Sequence, residues 1–285
     1  MKDFHTMPFF DRKSEIAELN GMLTTPRSQF ILVYGRRRVG KTTLLLHWAR
    51  QSGRPTIYWM AKRETPDACR RSLAKVVWRW AYPDDPDPAP PSFDSWEVLF
   101  REIARMIGDE PVILIFDEFP YAVESDSALP SHLQAAWDHH FKDRAIFLAL
   151  SGSHIGMMVD LMEHNAPLYG RFTGQLPIGP LPFATLKSYF PDYAAPERVA
   201  TYAVLGGIPA YLERFDPGKN LTENIRRHLF QRTGMFRSEP SFLVSDLVRE
   251  TRNYEAILRS VAVGDNTPGQ IAKRTGLAVN NIPSY

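Results

Sequence analysis

Gly35-Arg36-Arg37-Arg38-Val39-Gly40-Lys41-Thr42 follows the pattern G-x-x-x-x-G-K-[ST]. Each residue type has a chemical reason. Gly35 and Gly40 allow backbone turns that a side chain would forbid. The N–H groups of such a loop converge on phosphate oxygens at the positive end of the helix that follows. Lys41 reaches the β- and γ-phosphates of a nucleoside triphosphate, and Thr42 offers its hydroxyl to Mg²⁺. Val39 and Thr43 complete the phosphate-binding segment with Arg36, Arg37 and Arg38. For the three arginines two readings stand: contact with phosphate, nucleic acid or a partner, or plain solvation. The pattern carries weight only between a strand and a helix. FILVY (30–34) before it and TLLLHW (43–48) after it supply that setting.

A second set of groups begins 76 residues beyond Lys41. The apolar run VILIF (112–116) delivers Asp117 and Glu118 side by side, as a Walker B strand does. Asp117 would serve the magnesium shell, directly or through water. Glu118 would orient and deprotonate an attacking water. The alternative is that both acids only cap a strand end. The adjacent glutamate favours water as the nucleophile, hence hydrolysis over transfer to a small-molecule acceptor. Another run, AIFLAL (145–150), ends in Ser151-Gly152-Ser153-His154. A hydroxyl at that tip would sit between the two motifs and sense the γ-phosphate. Ser153 and Ser151 are both candidates, with a simple turn as the alternative. His154, His139 and His140 have no metal-ligand spacing with nearby acids and read as surface or core residues.

These groups need elements to hold them. The runs at 30–34, 56–60 (TIYWM), 112–116 and 145–150 are continuously apolar, as in strands buried on both faces of a parallel sheet. IGPLPF (178–183), with two prolines, is a fifth and weaker candidate. Helical spacing fills the intervals. It is read from Ile16, Leu19 and Leu23, then from Cys69, Leu73, Val76, Val77 and Trp80 after Pro66. It continues in Trp96, Leu99, Phe100, Ile103 and Ile107 behind an Asp94/Glu97 capping pair, and in Leu133, Trp137, His140 and Phe141. Strands alternating with helices predict an α/β fold. Five prolines and three aspartates make 82–92 an extended surface loop. Beyond about Pro191 the pattern is helical.

The 285 residues allow one large domain or two modest ones. Hydrophobic residues at 44% and charged residues at 23% argue against general disorder. A net charge of +2 excludes a polybasic coat as the main device, but it hides an asymmetry. Residues 1–63 carry 12 basic and 4 acidic groups, 64–212 carry 11 and 20, and 213–285 carry 11 and 8. The single cysteine, Cys69, suits a reducing cytoplasm and reads as a core residue. The start, MKDFHTMPFF, is not a signal peptide. No apolar run approaches the roughly 20 residues of a membrane span. The expected location is therefore cytoplasmic.

The segments FFDRKSEIAEL, VYGRRRVGKTTLL, ILIFDEFPYA, LSGSHIGMM, PLYGRFTGQLPIGPLPF and LGGIPAYL occur in this order. Together they resemble the archaeal-type ATPase family: P-loop ATPases of the STAND class, related to AAA proteins and found in archaea and bacteria. The resemblance covers nearly the whole chain. It implies ATP and Mg²⁺ as ligands. It implies a P-loop core with a parallel five-stranded sheet of the additional-strand, catalytic-glutamate type over 1–190. A helical subdomain over 191–245 and a partial winged helix-turn-helix over 246–285 would follow. Phe10, Arg12 and Glu15 match an N-terminal element expected near the adenine, with Asp11 standing where the family usually has glycine. Arg171, in LYGRF, matches an arginine that acts on the γ-phosphate as sensor or finger. A structural salt bridge is the other reading. Pro209, in Gly207-Ile208-Pro209, matches a G-x-P element whose proline packs near the base; by its residues alone the element is a turn.

At the end of the chain a helix is expected over 254–263, with Ile257, Leu258 and Val261 inward. A turn at 264–266 leads to Thr267 and Gln270, spaced as a capping box with Pro268 at the first helical position. That is a helix-turn-helix layout. The helix that would read DNA starts near Asn280, while the sequence stops at Tyr285, so the chain is expected to cut through this module. The expected function is a Mg²⁺-dependent ATPase acting as a nucleotide-driven switch on a protein partner, open to nucleotide-dependent oligomerisation. The alternative is a DNA-associated regulator, or a defence or mobile-element ATPase, that engages DNA through the winged helix. A small-molecule kinase ranks behind both because of Glu118.

Overall fold

The computed structural model describes residues 9–109, 111–241, 243 and 251–284. The reading of residues 1–8 and the 245/246 boundary lie outside the described residues. The chain packs as two compact units, one ending at Glu213 and one starting at Arg214.

In the first unit the elements in chain order are α1 (Lys13–Leu23), β1 (Gln29–Tyr34), α2 (Lys41–Ser52), β2 (Thr56–Met60), α3 (Pro66–Ala81), α4 (Trp96–Ile107) and β3 (Val112–Asp117). Then come α5 (Phe119–Ser125), α6 (Leu129–Ala136) with a π-helical extension (Trp137–Phe141), β4 (Ile146–Gly152) and α7 (Ile155–Asp160). β5 (Gly174–Pro177), α8 (Leu186–Tyr189), α9 (Ala195–Leu205) and α10 (Pro209–Leu212) complete it. All strand pairs are parallel, and the sheet order is β2-β3-β4-β1-β5.

Side chains alternate across the sheet with period two, and this parity places the site. Phe30, Leu32, Ile57, Trp59, Val112, Leu114, Phe116, Ile146, Leu148 and Leu150 face a core built with α3, α4, α5 and α6. Ile31, Val33, Ile113, Ile115, Phe147 and Ala149 face the opposite core, with Leu44, Leu45 and Trp48 of α2. Asp117 continues the parity of Ile113 and Ile115, so it lies on the face covered by α2, the helix that starts at Lys41.

Three expectations shift in detail. The fifth strand is Gly174–Pro177, not 178–183. It pairs with Ile31–Tyr34, whereas Pro180 and Pro182 have no N–H to extend the ladder. The cap of α4 is Ser95, whose side chain accepts from the Val98 N–H, rather than Asp94. The helical residues after 190 do not all leave the first unit. Ile208 is buried in the α2-side core, and the Leu181 N–H donates to the Gly207 carbonyl at 2.7 Å.

In the second unit α11 (Leu221–Ile225) runs into a π-helical turn (Arg226–Phe230). α12 (Thr251–Ala262) and α13 (Pro268–Thr275) precede a 3-10 segment (Val279–Ser284). Thr267 and Gln270 form the capping box of α13. Ile271, Ala272 and Ile282 make a small core here, flanked by Ile257 and Leu277, whereas Leu258 and Val261, expected inward, are exposed. Among the described residues no helix is long and apolar enough to cross a membrane.

Candidate active site

The phosphate loop is held from below by backbone. A Cβ on Gly35 would meet the Ile178 carbonyl oxygen at 2.1 Å, so only glycine fits against the 178–182 segment. Gly40 caps α2 at φ 91°, and Arg38 takes φ 70°, both in the left-handed region. Lys41 is the first residue of α2 and is buried. Its Nζ donates to the carbonyls of Gly35 at 2.9 Å and Arg36 at 3.2 Å, and to Ser153 Oγ at 3.2 Å. Burial pushes the Lys41 ammonium below the usual lysine range, Glu118 and Asp117 pull it back up, and Arg37 adds to the lowering.

Asp117 is fully buried. Its Oδ2 accepts from Thr42 Oγ1 at 2.6 Å and from the Tyr58 hydroxyl at 3.0 Å, and its Oδ1 accepts from the Glu118 N–H at 3.1 Å. Burial and the Asp117 charge push the Tyr58 phenol far above its ordinary value, which keeps it a donor. Glu118 adopts φ 50°, an uncommon conformation for a residue with a side chain. That turn ends the strand and directs its carboxylate to the tip of β4. There Ser153 donates to Glu118 through its hydroxyl, and through its N–H at 3.3 Å. Lys41, Ser153 and Glu118 therefore form one hydrogen-bonded line. Gly152 makes the tip possible: a Cβ there would meet Met158 Sδ at 2.4 Å and Pro120 Cδ at 2.7 Å. Ser151, the other candidate, is buried in β4, and its hydroxyl is the buried side-chain polar atom without a partner among the described residues.

Two adjoining cavities follow. One, of about 420 Å³, is lined by Arg37, Arg38, Lys41, Thr42, Glu118 and Ser153, with Tyr121 and Pro209 on its walls. The other, about 250 Å³ and more apolar, is lined by Phe9, Phe10, Arg12, His47, Leu181 and Tyr189. Gly40, Thr43, Pro209 and Glu213 belong to both, so the two form one groove. Phe9 stacks on His47 at 3.9 Å, and Phe10 meets Tyr189 edge-on at 4.7 Å. Burial pushes the Tyr189 phenol up to about 12, with Glu213 adding to it.

Arg12 lines the apolar cavity, but its guanidinium is committed to structure. It donates to the Val39 carbonyl at 2.9 Å, the Gly179 carbonyl at 2.7 Å and Glu15 at 2.7 Å. It thus ties the phosphate loop to the 178–182 segment. Asp11 takes φ 65°, a region that glycine enters freely and Asp tolerates. Its carboxylate accepts from Thr185 Oγ1 at 2.5 Å, which holds the turn.

The three loop arginines diverge. Arg37 donates to the Tyr121 hydroxyl, and Arg38 lies over the Tyr211 ring at 5.6 Å. Arg36 is exposed and does not line the phosphate cavity. Arg171 is not brought to the site. Its neighbour Phe172 packs on Phe30 near the start of β1, about 16 Å from the loop at roughly 3.3 Å per residue. Arg171 grips Asp138 with two nitrogens, at 3.0 and 2.7 Å, and donates to the carbonyls of Pro167 and Tyr169, both at 3.1 Å. This arrangement fits the salt-bridge reading and places Arg171 away from this chain's own phosphate cavity. Sequence reasoning passed over Tyr58, Tyr121, Tyr189 and Glu213. Thr56, Tyr58 and Met60 share the face of Asp117 in the β2–β3 register, and of these Tyr58 carries the phenol that reaches it.

A phosphate loop running into α2, opposed by a buried strand that ends in Asp117-Glu118, on a 2-3-4-1-5 parallel sheet, defines the fold of a P-loop ATPase. The family profile described as an ATPase domain predominantly from Archaea matches residues 9–215, and the chain belongs to this archaeal-type ATPase family. An uncharacterised protein of Methanocaldococcus jannaschii is 31% identical over 279 residues, covering 97% of this chain and 59% of that protein. The chain thus spans well under two thirds of that relative's length. The Walker-type ATPase PABY2304 of Pyrococcus abyssi superposes with a TM-score of 0.64 at 21% identity, covering 93% of this chain and 83% of that one. The Orc1 protein of Aeropyrum pernix, solved in complex with DNA, gives 0.54 at 14% identity, covering 100% and 84%. At these identities the solved structures establish the fold.

Proposed function

We propose that the site binds ATP with Mg²⁺ and hydrolyses it to ADP and phosphate, and that the chain uses the cycle as a switch. The observation that carries this reading is the 2.6 Å bond from Thr42 to Asp117, set on the same cavity as the Lys41–Ser153–Glu118 line. Mg²⁺ is commonly held by one or two protein groups plus substrate phosphates, and a buried carboxylate paired with a hydroxyl matches that donor set. Thr42 and Asp117 would hold the ion, which when bound supplies positive charge against the phosphate oxygens. The loop N–H groups and Lys41 bind the β- and γ-phosphates, with Arg37 and Arg38 on the cavity wall. Glu118 takes the proton of a water as its oxygen bonds to the γ-phosphorus and the bond to the β-phosphate oxygen breaks. Ser153, touching both Lys41 and Glu118, reports the γ-phosphate to the base. Phe10, Tyr189 and Pro209 frame the apolar cavity for the adenine.

The expected outcome is that Lys41→Ala abolishes ATP binding. Glu118→Gln should keep binding and lose about 10²- to 10⁴-fold in turnover. Fluorescent-nucleotide titration and phosphate release measure the two. Normal turnover by Glu118→Gln would remove Glu118 as the base.

In the switch reading the nucleotide state passes to a protein partner, to a nucleotide-dependent oligomer or to the C-terminal unit, in the cytoplasm. The DNA reading, in which residues 246–285 belong to a winged helix, draws on α12, the capped α13 and the turn after it. A gel shift with and without ATP separates the two. Salt-insensitive or absent binding removes the DNA reading. ATPase rate against protein concentration tests the oligomer.

A further inference from the structure

Tyr58 is the middle residue of β2. Its neighbours Ile57 and Trp59 are buried in the core on the α3 side, which turns Tyr58 toward the α2 face. Its hydroxyl lies 3.0 Å from Asp117 Oδ2, the oxygen that also accepts from Thr42 Oγ1. An ionised carboxylate only accepts, so the phenol is the donor. Asp117 is fully buried, and a buried anion needs donors around it. Thr42 and Tyr58 fix one oxygen from two directions, and the Glu118 N–H touches the other at 3.1 Å. Thr42 comes from α2 and Glu118 is the next residue in the chain. Tyr58 is the donor contributed by a separate strand.

We propose that Tyr58 is a positioning residue that orients Asp117 for the divalent cation arriving with the nucleotide, and so sets the affinity for that cation. This rests on reading Thr42 and Asp117 as the cation site. Hydrogen bonds to ligating carboxylates act in this way in other proteins, and their loss typically costs 10- to 100-fold in metal affinity. Without the phenol, Oδ2 keeps only Thr42 as a donor, so Thr42 must both hold that oxygen and serve the cation, while the Glu118 N–H holds Oδ1.

Tyr58→Phe removes only the hydroxyl and keeps the ring in its packing. The test titrates a fluorescent ATP analogue against wild type and Tyr58→Phe across Mg²⁺ concentrations and in EDTA. Electron paramagnetic resonance of Mn²⁺ gives free cation, and bound cation by difference. The expected result is a Mg²⁺ half-saturation raised about tenfold or more, with Mn²⁺ affinity falling in parallel. Binding in EDTA and the thermal midpoint in EDTA should match wild type. Coincident Mg²⁺ curves would overturn the proposal, as would an equal loss of affinity in EDTA, which marks a general packing role. Asp117→Asn separates the two layers. If it removes the Mg²⁺ dependence while Tyr58→Phe does not alter it, the cation site stands and the role of Tyr58 falls. If wild type itself shows no Mg²⁺ dependence, both fall.

Discussion

Lys41, Ser153 and Glu118 are joined by hydrogen bonds, while Arg171, the other charged residue expected to act on the γ-phosphate, is held elsewhere by Asp138. The consequences differ. Arg171 has a fork of donors matched to a carboxylate and two carbonyls, a geometry that lysine could not reproduce. Arg171→Ala should therefore lower stability by about 1–3 kcal/mol, the usual cost of leaving partly buried acceptors without their donor. ATP affinity and the turnover rate should stay within about twofold of wild type. Thermal unfolding and nucleotide titration check the two halves, and a large loss of turnover at unchanged stability would restore Arg171 to the chemistry. Arg12 behaves as the reverse case: it lines the base cavity, yet its bonds to Val39 and Gly179 make it part of the loop's scaffold.

At the scale of elements, the segment 178–182 links the parts of the site. Its Ile178 carbonyl crowds Gly35, its Gly179 carbonyl takes Arg12, and its Leu181 is crossed by Gly207. A Cβ on Gly207 would meet the Leu181 carbonyl oxygen at 1.9 Å, a clash with backbone that no rotamer relieves. Pro209 follows two residues later and stands within van der Waals reach of a Cβ built on Gly40, at 3.7 Å. Gly207→Ala should thus cost about 1–3 kcal/mol of stability, the range for forced overpacking. It should also weaken nucleotide binding by displacing Pro209 from both cavities. Thermal unfolding with and without ATP measures this, and unchanged values would show that the crossing is not needed.

For the whole molecule, both cavities are lined by residues at or before Glu213, within the first compact unit. A fragment of residues 1–213 is expected to fold and to bind ATP with the affinity of the whole chain. Nucleotide should raise the thermal midpoint of both forms, since saturating ligand at about 100 times its dissociation constant adds roughly 2.7 kcal/mol. If the fragment unfolds or loses binding, the second unit contributes to the site. If it binds normally, the second unit is free to carry the response to the nucleotide.

Much of this was written in local sequence. The loop 35–42, the apolar run into Asp117-Glu118 and the capping box at Thr267 depend on neighbours a few residues away, and each sits where its spacing required. What spacing could not decide was which distant groups meet. The fifth strand moved to Gly174–Pro177 because pairing with β1 depends on a partner far along the chain. Ser153 was separated from Ser151 by the turn at Glu118, Arg171 was claimed by Asp138, and Tyr58 gained its purpose from an aspartate on the neighbouring strand. A side chain's type and parity are local properties. The partner that satisfies a buried charge is chosen only when the strands and helices close on one another.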